Sequence, residues 1–313
     1  MRAFGFTEYG GPEITRLMQV EDPVPAAGQV LIRLQASGVN PADIKVRSGL
    51  RQGRIPVRFP MAMGREAAGE VLDVGPGVSG FAPGDQVFGS TAGGTGSMSE
   101  LVLLEAAATA HRPAGVGVDQ AASIPVSVAT AFDALDELEL AEGSTLLVLG
   151  AGGGVGTAAC GLARLRGLRV LGVASESKRP AVEELGAVHV LKGEDWAARV
   201  RKSAPDGVDG VIDSVGGEVL REASGLLRRP VTPGPDESVL PLRSAADHDL
   251  AREVGGSPVA RRRTTAVYAR VAELVAAEHF TPVVSAAYPL AEAGKAVAAV
   301  EHHSPVGNVV VTA

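Results

Sequence analysis

A run of glycines directly behind an aliphatic stretch constrains the fold more than any other feature of the sequence. The stretch is LLVLGAGGGVG, Leu146–Gly156, and five of the seven residues from Gly150 to Gly156 are glycine. The aliphatic part predicts a buried strand, and VGTAACGLARLRG predicts a helix that begins near Gly154. Glycines in this setting let the backbone approach a pyrophosphate, whose charge the helix N-terminus favours. We therefore expect a dinucleotide site, with a turn that binds nothing as the alternative. Four residues would supply amides or close packing: Gly153, Gly154, Val155 and Gly156.

Strand and helix patterns alternate after about residue 120. RVLGVA and VDGVIDS have the composition of buried strands, whereas SKRPAVEELG and GGEVLREASGLL have that of helices. This alternation predicts parallel βαβ units with right-handed crossovers. The preceding part differs, because short β-branched runs such as QVLIRLQASGV are separated by Gly/Pro turns and indicate a β-rich domain. The proline-rich segment Arg228–Val239 is predicted to be a loop.

Composition limits the kind of protein that these patterns can form. The 313 residues suffice for two domains, and the net charge of −7 argues against a protein that binds nucleic-acid phosphates. The basic run Arg261–Arg263 is interpreted as a solvated loop. The run Gly143–Ala163 has no charged residue, but its clustered glycines favour a strand, loop and helix over a membrane span. Because the N-terminal residues lack an apolar core, we expect a cytoplasmic protein that binds neither membranes nor nucleic acid.

The end of the second predicted strand decides which nucleotide we expect. An NAD site places Asp or Glu there to accept the ribose 2′-hydroxyl. In LGVASESKR the strand instead ends at Ala174 and Ser175, and Lys178 and Arg179 follow. A small residue, a hydroxyl and nearby cations suit the additional phosphate of NADP(H), so we predict that Ser175 and Lys178 bind the 2′-phosphate. Glu176 is the opposing residue, because its carboxylate would repel the phosphate if it turned inward.

Four motifs occur in the order seen in a known superfamily. They are GVNPADIKVRSG, GREAAGEVLDVGPGVSGFAPGDQVFG, GAGGGVG and DSVGGE. Together they resemble the medium-chain dehydrogenase/reductase superfamily, and within it the zinc-independent quinone oxidoreductase branch that includes zeta-crystallin. The resemblance covers nearly the whole chain. It implies a GroES-like β-barrel domain formed by residues 1–120 with 280–313. It also implies a Rossmann NADP-binding domain, a doubly wound parallel sheet, formed by residues 121–279.

The residues at the metal positions of the superfamily are changed in this chain. Where zinc-dependent relatives have a cysteine, SGVNPAD offers Asn40 and Asp43, and where they have Gly-His-Glu, residues 64–66 are Gly-Arg-Glu. Cys160 is the single cysteine, so a structural zinc lobe of four cysteines is excluded. We therefore predict no metal site. The resemblance then implies hydride transfer to an activated acceptor, a quinone or an α,β-unsaturated carbonyl, whose developing oxygen charge needs only hydrogen-bond donors.

The resemblance also assigns residues to the catalytic side. It places Asn40 at the floor of a cleft, where its amide can donate to a carbonyl or to the cofactor, and Asp43 as a brace for the loop. A capped turn is the alternative for both residues. Lys45 stands in a segment where relatives often carry a tyrosine, and it is a candidate proton donor or an exposed lysine. Thr130 matches a threonine that contacts nicotinamide, or it bonds its own helix backbone.

Three further positions are assigned to the cofactor. Val215 and Gly216 in DSVGG lie at the carboxyl end of a predicted strand, where the nicotinamide ribose should pass. Lys192 in VLKGED stands where many relatives carry a tyrosine, and we predict that it lies beside the adenosine phosphate. The resemblance further implies a homodimer acting on a small carbonyl or quinone substrate. Two other functions stay open: an enoyl-thioester reductase of secondary metabolism, and a non-catalytic NADPH-binding sensor.

Overall fold

The computed structural model describes residues 1–94, 96–228, 239–303 and 305–313, which form two compact units. Unit 1 contains Met1–Ala129 and Arg263–Ala313, and unit 2 contains Thr130–Arg262. Most of the proline-rich segment predicted to be a loop lies outside the described residues. Within the described ranges, no helix combines the length and the apolar character that crossing a bilayer requires.

The first segment of unit 1 consists mainly of β-strands, as its β-branched runs predict. Its helices and strands are β1 (Arg2–Phe6), β2 (Thr15–Gln19), β3 (Gln29–Val39), α1 (Pro41–Arg47), β4 (Met61–Ala62), β5 (Glu66–Val74), β6 (Gln86–Thr91), β7 (Leu101–His111) and α2 (Val118–Ser123). The long strand β3 alternates between buried and less buried residues before it becomes fully buried near its end. A π-helical turn, Ile124–Val128, follows α2.

Unit 2 contains the glycine loop and alternates between helices and parallel strands. Its elements are α3 (Ala129–Leu138), β8 (Thr145–Leu149), α4 (Gly154–Leu165), β9 (Arg169–Ala174), α5 (Arg179–Glu184), β10 (Val188–Leu191), α6 (Trp196–Ser203), β11 (Gly210–Asp213), α7 (Gly217–Ser224), β12 (Leu242–Ser244), α8 (His248–Glu253) and β13 (Ser257–Pro258). The strands form one parallel sheet in the order β10-β9-β8-β11-β12-β13. This confirms the predicted Rossmann sheet. The strand order reverses at β8, so the loop behind β8 lies where such sheets bind nucleotides.

The strand that carries the glycine loop is held in the core of unit 2. All five residues of β8 are buried, as expected for a strand covered on both faces. Leu147 and Leu149 share one apolar cluster with Trp196 of α6 and Leu220 of α7. Burying an aliphatic or aromatic side chain of this size contributes about 1.5–3 kcal/mol. The glycine loop therefore starts from a rigid support.

The C-terminal segment returns to unit 1 and completes its main sheet. It contains α9 (Thr265–Ala276), β14 (Val284–Pro289), α10 (Ala293–Ala298) and β15 (Asn308–Thr312). The sheet has the order β14-β15-β3-β5-β6-β7, and a smaller sheet has the order β2-β1-β4. Strand β15 pairs antiparallel with β3, which also pairs with both β5 and β7. This double pairing of β3 closes β3, β5, β6 and β7 into the barrel of the GroES-like domain.

The boundaries of the two units differ from those of the predicted domains. The prediction was 1–120 with 280–313 for one domain and 121–279 for the other, whereas the units divide after Ala129 and after Arg262. Val126 donates its backbone N–H to Glu66 of β5 at 2.7 Å, so the chain stays in unit 1 beyond residue 120. Helix α9 also belongs to unit 1, because the Tyr268 hydroxyl lies 2.7 Å from Ser90 Oγ of β6. Local patterns of strand and helix contain no signal for these two long-range contacts.

Candidate functional site

The glycine loop joins β8 to α4 at the carboxyl end of the parallel sheet. Gly150 has a φ of 77°, which favours glycine, and α4 begins at Gly154 as predicted. The N-cap residue of α4 is Gly153, so no side chain caps the N–H groups of the first helical turn. A Cβ atom at Gly156 would lie 2.1 Å from the Gly150 carbonyl oxygen, so α4 packs tightly against the loop. The loop therefore offers an uncapped, positively polarised helix end to an anion.

Two lysines lie near this loop, at the ends of β9 and β10. The stem of Lys178 covers Gly152, where an added Cβ atom would lie 2.3 Å from Lys178 Cδ. Burial lowers the pKa of the Lys178 ammonium, and the charge of Lys192 lowers it further. Ser175 lies on the same rim, where its Oγ is 3.1 Å from Ser177 Oγ. The structure thus brings together Ser175, Lys178 and Lys192, and neighbouring ammonium groups suit a doubly charged phosphate.

Glu176, the residue expected to repel a phosphate, has its negative charge neutralised by Arg179. Both oxygens of its carboxylate accept hydrogen bonds from Arg179, at 2.7 Å and 2.8 Å. These bonds lower the pKa of Glu176, and the nearby His189 lowers it further. Arg179 is one of the cations that the sequence prediction counted near the 2′-phosphate. The structure instead uses it to compensate an exposed carboxylate.

A buried carboxylate that the sequence prediction missed shapes the loop after β11. Asp213 is fully buried, and its Oδ1 accepts the backbone N–H groups of Val215 and Gly216 at 2.8 Å and 2.9 Å. Its Oδ2 accepts a hydrogen bond from Ser244 Oγ of β12 at 2.6 Å. The amides of Val215 and Gly216 are therefore engaged within the protein, whereas the Val215 side chain is 52% exposed. An acidic residue at the end of a buried strand was the available signal.

In unit 1, the predicted residues of α1 belong to a buried charged cluster. Asn40 precedes α1, and its backbone N–H donates to Asp43 Oδ2 at 2.9 Å. Arg65 Nε donates to Asp43 Oδ1 at 2.9 Å, and both side chains are buried. Burial raises the pKa of Asp43, while the charge and hydrogen bond of Arg65 oppose that rise. These contacts are those of a carboxylate that braces the turn. The sequence analysis considered Arg65 only because it stands where relatives have a histidine zinc ligand, and did not predict its pairing with Asp43.

Glu66 closes the same cluster from the side of β5. Its Oε1 accepts a hydrogen bond from Asn40 Nδ2 at 2.7 Å, and its Oε2 accepts the Val126 backbone N–H at 2.7 Å. A Cβ atom at Gly38 would lie 2.2 Å from Glu66 Oε1, so the carboxylate fills the space that a larger residue would need. Glu66 therefore fixes the side-chain amide of Asn40. The sequence analysis did not assign Glu66 a role.

Lys45 and Thr130 stay predictions. Lys45 is partly buried on α1, and its side chain makes no hydrogen bond or ion pair with the residues that the structure describes. Thr130 is buried near the start of α3, in the other unit. Asn40 is the N-cap residue of α1, Asp43 and Lys45 lie on α1, and Thr130 lies on a separate helix.

No group of three or more His, Cys, Asp or Glu side chains in the described ranges could hold a metal ion. At the two positions matched to zinc ligands, Asn40 is bonded to Glu66 and Arg65 is paired with Asp43. Neither an amide nitrogen nor a guanidinium is a zinc donor. Cys160 is buried in α4, where burial raises the pKa of its thiol to about 12.

The basic run at residues 261–263 lies in a loop, as predicted, and Arg262 and Arg263 are exposed. Arg262 Nε donates to Asp133 Oδ1 at 2.8 Å, and its backbone N–H donates to Asp133 Oδ2 at 2.7 Å. Arg262 also pairs with Asp136 one turn further along α3. The loop is thus solvated as predicted, and the acidic residues of α3 also compensate the charge of Arg262 and fasten this segment to the helix.

Comparisons with known proteins agree with this architecture. Residues 26–114 match the alcohol dehydrogenase GroES-like domain family, and residues 185–311 match the zinc-binding dehydrogenase family. A quinone oxidoreductase of Rattus norvegicus is 38% identical over 234 residues, which cover 72% of this chain and 70% of that protein. The spectinabilin polyketide synthase system protein NorB of Streptomyces orinoci is 36% identical over 226 residues. These residues cover 70% of this chain but only 10% of NorB.

A solved structure extends the likeness to the whole chain. The quinone oxidoreductase of Escherichia coli, crystallised with NADPH, has a TM-score of 0.86 and 25% sequence identity, and all of each chain is covered. Strands β3, β5, β6 and β7, which form the closed barrel of unit 1, lie within the residues that match the GroES-like domain family. The chain belongs to the quinone oxidoreductase, zeta-crystallin-like branch of the medium-chain dehydrogenase/reductase superfamily.

Proposed function

We propose that this oxidoreductase uses NADPH and, without zinc, reduces a quinone or an α,β-unsaturated carbonyl. The observation that carries the proposal is the pair of lysines, Lys178 and Lys192, at the ends of β9 and β10 beside the glycine loop. When bound, the cofactor supplies hydride from its nicotinamide ring. The relatives support the same choice, because the similar Escherichia coli enzyme was crystallised with NADPH.

The residues of unit 2 fit the cofactor in chemistry and in space. At Gly153 an added Cβ atom would meet only the Gly150 carbonyl oxygen, at 3.6 Å, so the backbone there is accessible, and the uncapped end of α4 suits the pyrophosphate. Lys178, Lys192 and Ser175 would hold the 2′-phosphate. Glu176 does not weigh against this assignment, because Arg179 neutralises its carboxylate.

Unit 1 would supply the donors that a reaction without zinc needs. Asn40 uses one amide hydrogen to bond Glu66, which fixes the side chain and leaves its second amide hydrogen for a carbonyl oxygen. Such a donor stabilises the negative charge that develops on the acceptor oxygen. Asp43 and Arg65 brace the turn that carries Asn40, and Lys45 is the candidate proton donor.

The test is loss of NADPH absorbance with an ortho-quinone and with an enone, in chelator-treated protein and with NADH as the comparison. Turnover that survives chelation and prefers NADPH is the expected result. Turnover restored only by added zinc, or a preference for NADH, would overturn the proposal. The faster of the two acceptors assigns the substrate class.

A second candidate is an enoyl-thioester reductase. It is favoured by the similarity to a segment of NorB, a polyketide synthase system protein. Reduction of an enoyl thioester but of neither the quinone nor the simple enone would select it. Tight NADPH binding without turnover of any of these acceptors would instead favour a sensor.

A further inference from the structure

The segment that follows Asp43 has a charge unlike that of the whole protein. From Ile44 to Arg65 the chain has six basic residues and no acidic residue, in a protein with a net charge of −7. Two of the six are committed to internal pairs: Arg47 is buried and bonded to Glu301, and Arg65 is bonded to Asp43. The remaining four form what we call the basic loop: Lys45, Arg51, Arg54 and Arg58.

Three of the four cations of the basic loop differ from those surface cations of the described residues that are held by carboxylates. Lys45, Arg51 and Arg58 make no ion pair with any residue in the described ranges. In contrast, Arg262 contacts two carboxylates and Arg179 is held by both oxygens of one. A group of cations without nearby carboxylates produces a local positive potential, which attracts an anionic ligand.

The basic loop also lies close in the fold to the candidate site of unit 1. Helix α1 connects them, since Asn40 precedes it and Arg51 follows its end. Its seven residues span about 10 Å at 1.5 Å per residue. Leu50 and Phe59, beside the cations, are 75% and 45% exposed. This surface therefore combines apolar area with cations at a distance from Asn40 that a long substrate can bridge.

We propose that the basic loop binds the phosphate of a phosphopantetheine-bearing substrate whose reacting end is an α,β-unsaturated thioester. The inference rests on the proposed function, because the same site performs the reduction. Hydride from NADPH adds to the β-carbon and a proton adds to the α-carbon, which gives the saturated thioester and NADP⁺. Arg51 and Arg58 supply guanidinium groups, which match phosphate oxygens in pairs, and Leu50 supplies an apolar contact for the arm. A neutral quinone offers no group for these cations.

The experiment compares three enoyl thioesters that share the same reacting end. Crotonyl-phosphopantetheine has one phosphate, crotonyl-CoA adds the nucleotide phosphates, and crotonyl-N-acetylcysteamine has none. The double variant Arg51→Gln with Arg58→Gln is compared with Arg16→Gln with Arg33→Gln, two exposed arginines of the same unit. We expect the loop variant to lower kcat/KM about tenfold for the two phosphorylated thioesters and to leave the neutral one unchanged. The control variant should match the unmodified protein on all three.

The two phosphorylated substrates identify the source of the anion. If kcat/KM falls equally with both substrates, the group that the basic loop binds is the phosphopantetheine phosphate that they share. A fall with crotonyl-CoA alone would overturn that assignment. Equal losses on the neutral thioester, or no preference of the unmodified protein for phosphate, would also overturn the inference while leaving enone reduction intact. If nothing is reduced, the proposed function fails, and calorimetric binding of butyryl-phosphopantetheine to both proteins decides the inference by itself.

Discussion

The two candidate regions of this protein treat charge in opposite ways. The loop after β8 is mostly glycine, and beside it burial lowers the pKa of Lys178, which the charge of Lys192 lowers further. At the start of α1 the charged side chains are buried and bonded to each other or to a polar neighbour, because Arg65 pairs with Asp43 and Glu66 accepts a hydrogen bond from Asn40. Neighbouring charges of the same sign suit a doubly charged anion, whereas opposite charges that are buried and bonded to each other indicate a brace.

Replacing Arg65 by methionine tests the brace and should have the largest effect. Removing one partner of a buried ion pair costs about 3–5 kcal/mol of unfolding free energy. Burial raises the pKa of Asp43 and Arg65 opposes the rise, so the variant should raise that pKa further. A carboxyl whose folded pKa is raised favours the folded state at low pH, so the deficit should grow as the pH rises above about 3.9, the ordinary pKa of an aspartate.

Urea unfolding followed by circular dichroism measures both effects of Arg65→Met. The double variant with Asp43→Asn should regain part of the loss, because no charge is then left buried without a partner. A deficit below about 1 kcal/mol, or one independent of pH, would contradict the description of this cluster as a brace.

Two glycines of the loop separate packing from ligand binding. Gly156→Ala places a Cβ atom against the Gly150 carbonyl, so we expect about 1–3 kcal/mol of lost stability and loss of NADPH binding. At Gly153 the added Cβ atom has only an ordinary contact at 3.6 Å, and φ is −93°. Gly153→Ala should therefore unfold like the unmodified protein but bind NADPH more weakly in fluorescence titration. Unchanged NADPH binding in Gly153→Ala would mean that the N-cap of α4 does not face the cofactor.

Lys178→Ala tests whether the lysine pair recognises the 2′-phosphate. A hydrogen bond to a charged group is worth about 1.5–3 kcal/mol, so the Kd of NADPH should rise at least about tenfold while that of NADH stays the same. Lys202→Ala, an exposed lysine of α6, is the matched control. Lys192→Ala should produce a smaller rise, and an unchanged Kd there would remove Lys192 from the site.

Glu176→Gln should have the smallest effect and the opposite sign. The substitution keeps the size of the side chain, removes one negative charge and frees Arg179 from its bonds. Because the pair is exposed and screened by salt, we expect NADPH to bind only about twofold more tightly, and less so at high salt. Glu184→Gln, an exposed carboxylate at the end of α5, is the control. Weaker binding of NADPH would show that the Glu176–Arg179 pair supports the site.

Local patterns predicted the nucleotide half of the protein well. The strand, glycine loop and helix at β8 and α4 are contiguous in sequence, so their residues alone define the turn and the open helix end. Ser175 and Lys178 are three residues apart and could be placed for the same reason. The partner of the Asn40 side chain could not, because Glu66 reaches it only when β5 lies beside β3.

The same limit applies to the role of each acidic residue. Asp213 ends a buried strand, but its partner Ser244 lies on β12. The sequence between the two strands contains no pattern from which the pairing of β12 with β11 could be predicted. The boundary near α9 was missed because Tyr268 contacts a strand far away in the chain. A buried polar residue reveals its function through its partner, and the partner is a property of the tertiary fold.

The pairing of β15 with β3 has a consequence for how the chain is made. Val309 pairs with Val39, and the whole of unit 2 is synthesised between them. Since a ribosome adds about 5–20 residues per second, the Ala36–Val39 edge of β3 waits roughly 10–50 s for its neighbour. Unit 2 is continuous and can finish folding during that interval. The nascent barrel meanwhile exposes an unpaired strand edge, so unit 1 is the half that is open to pairing with other chains during synthesis.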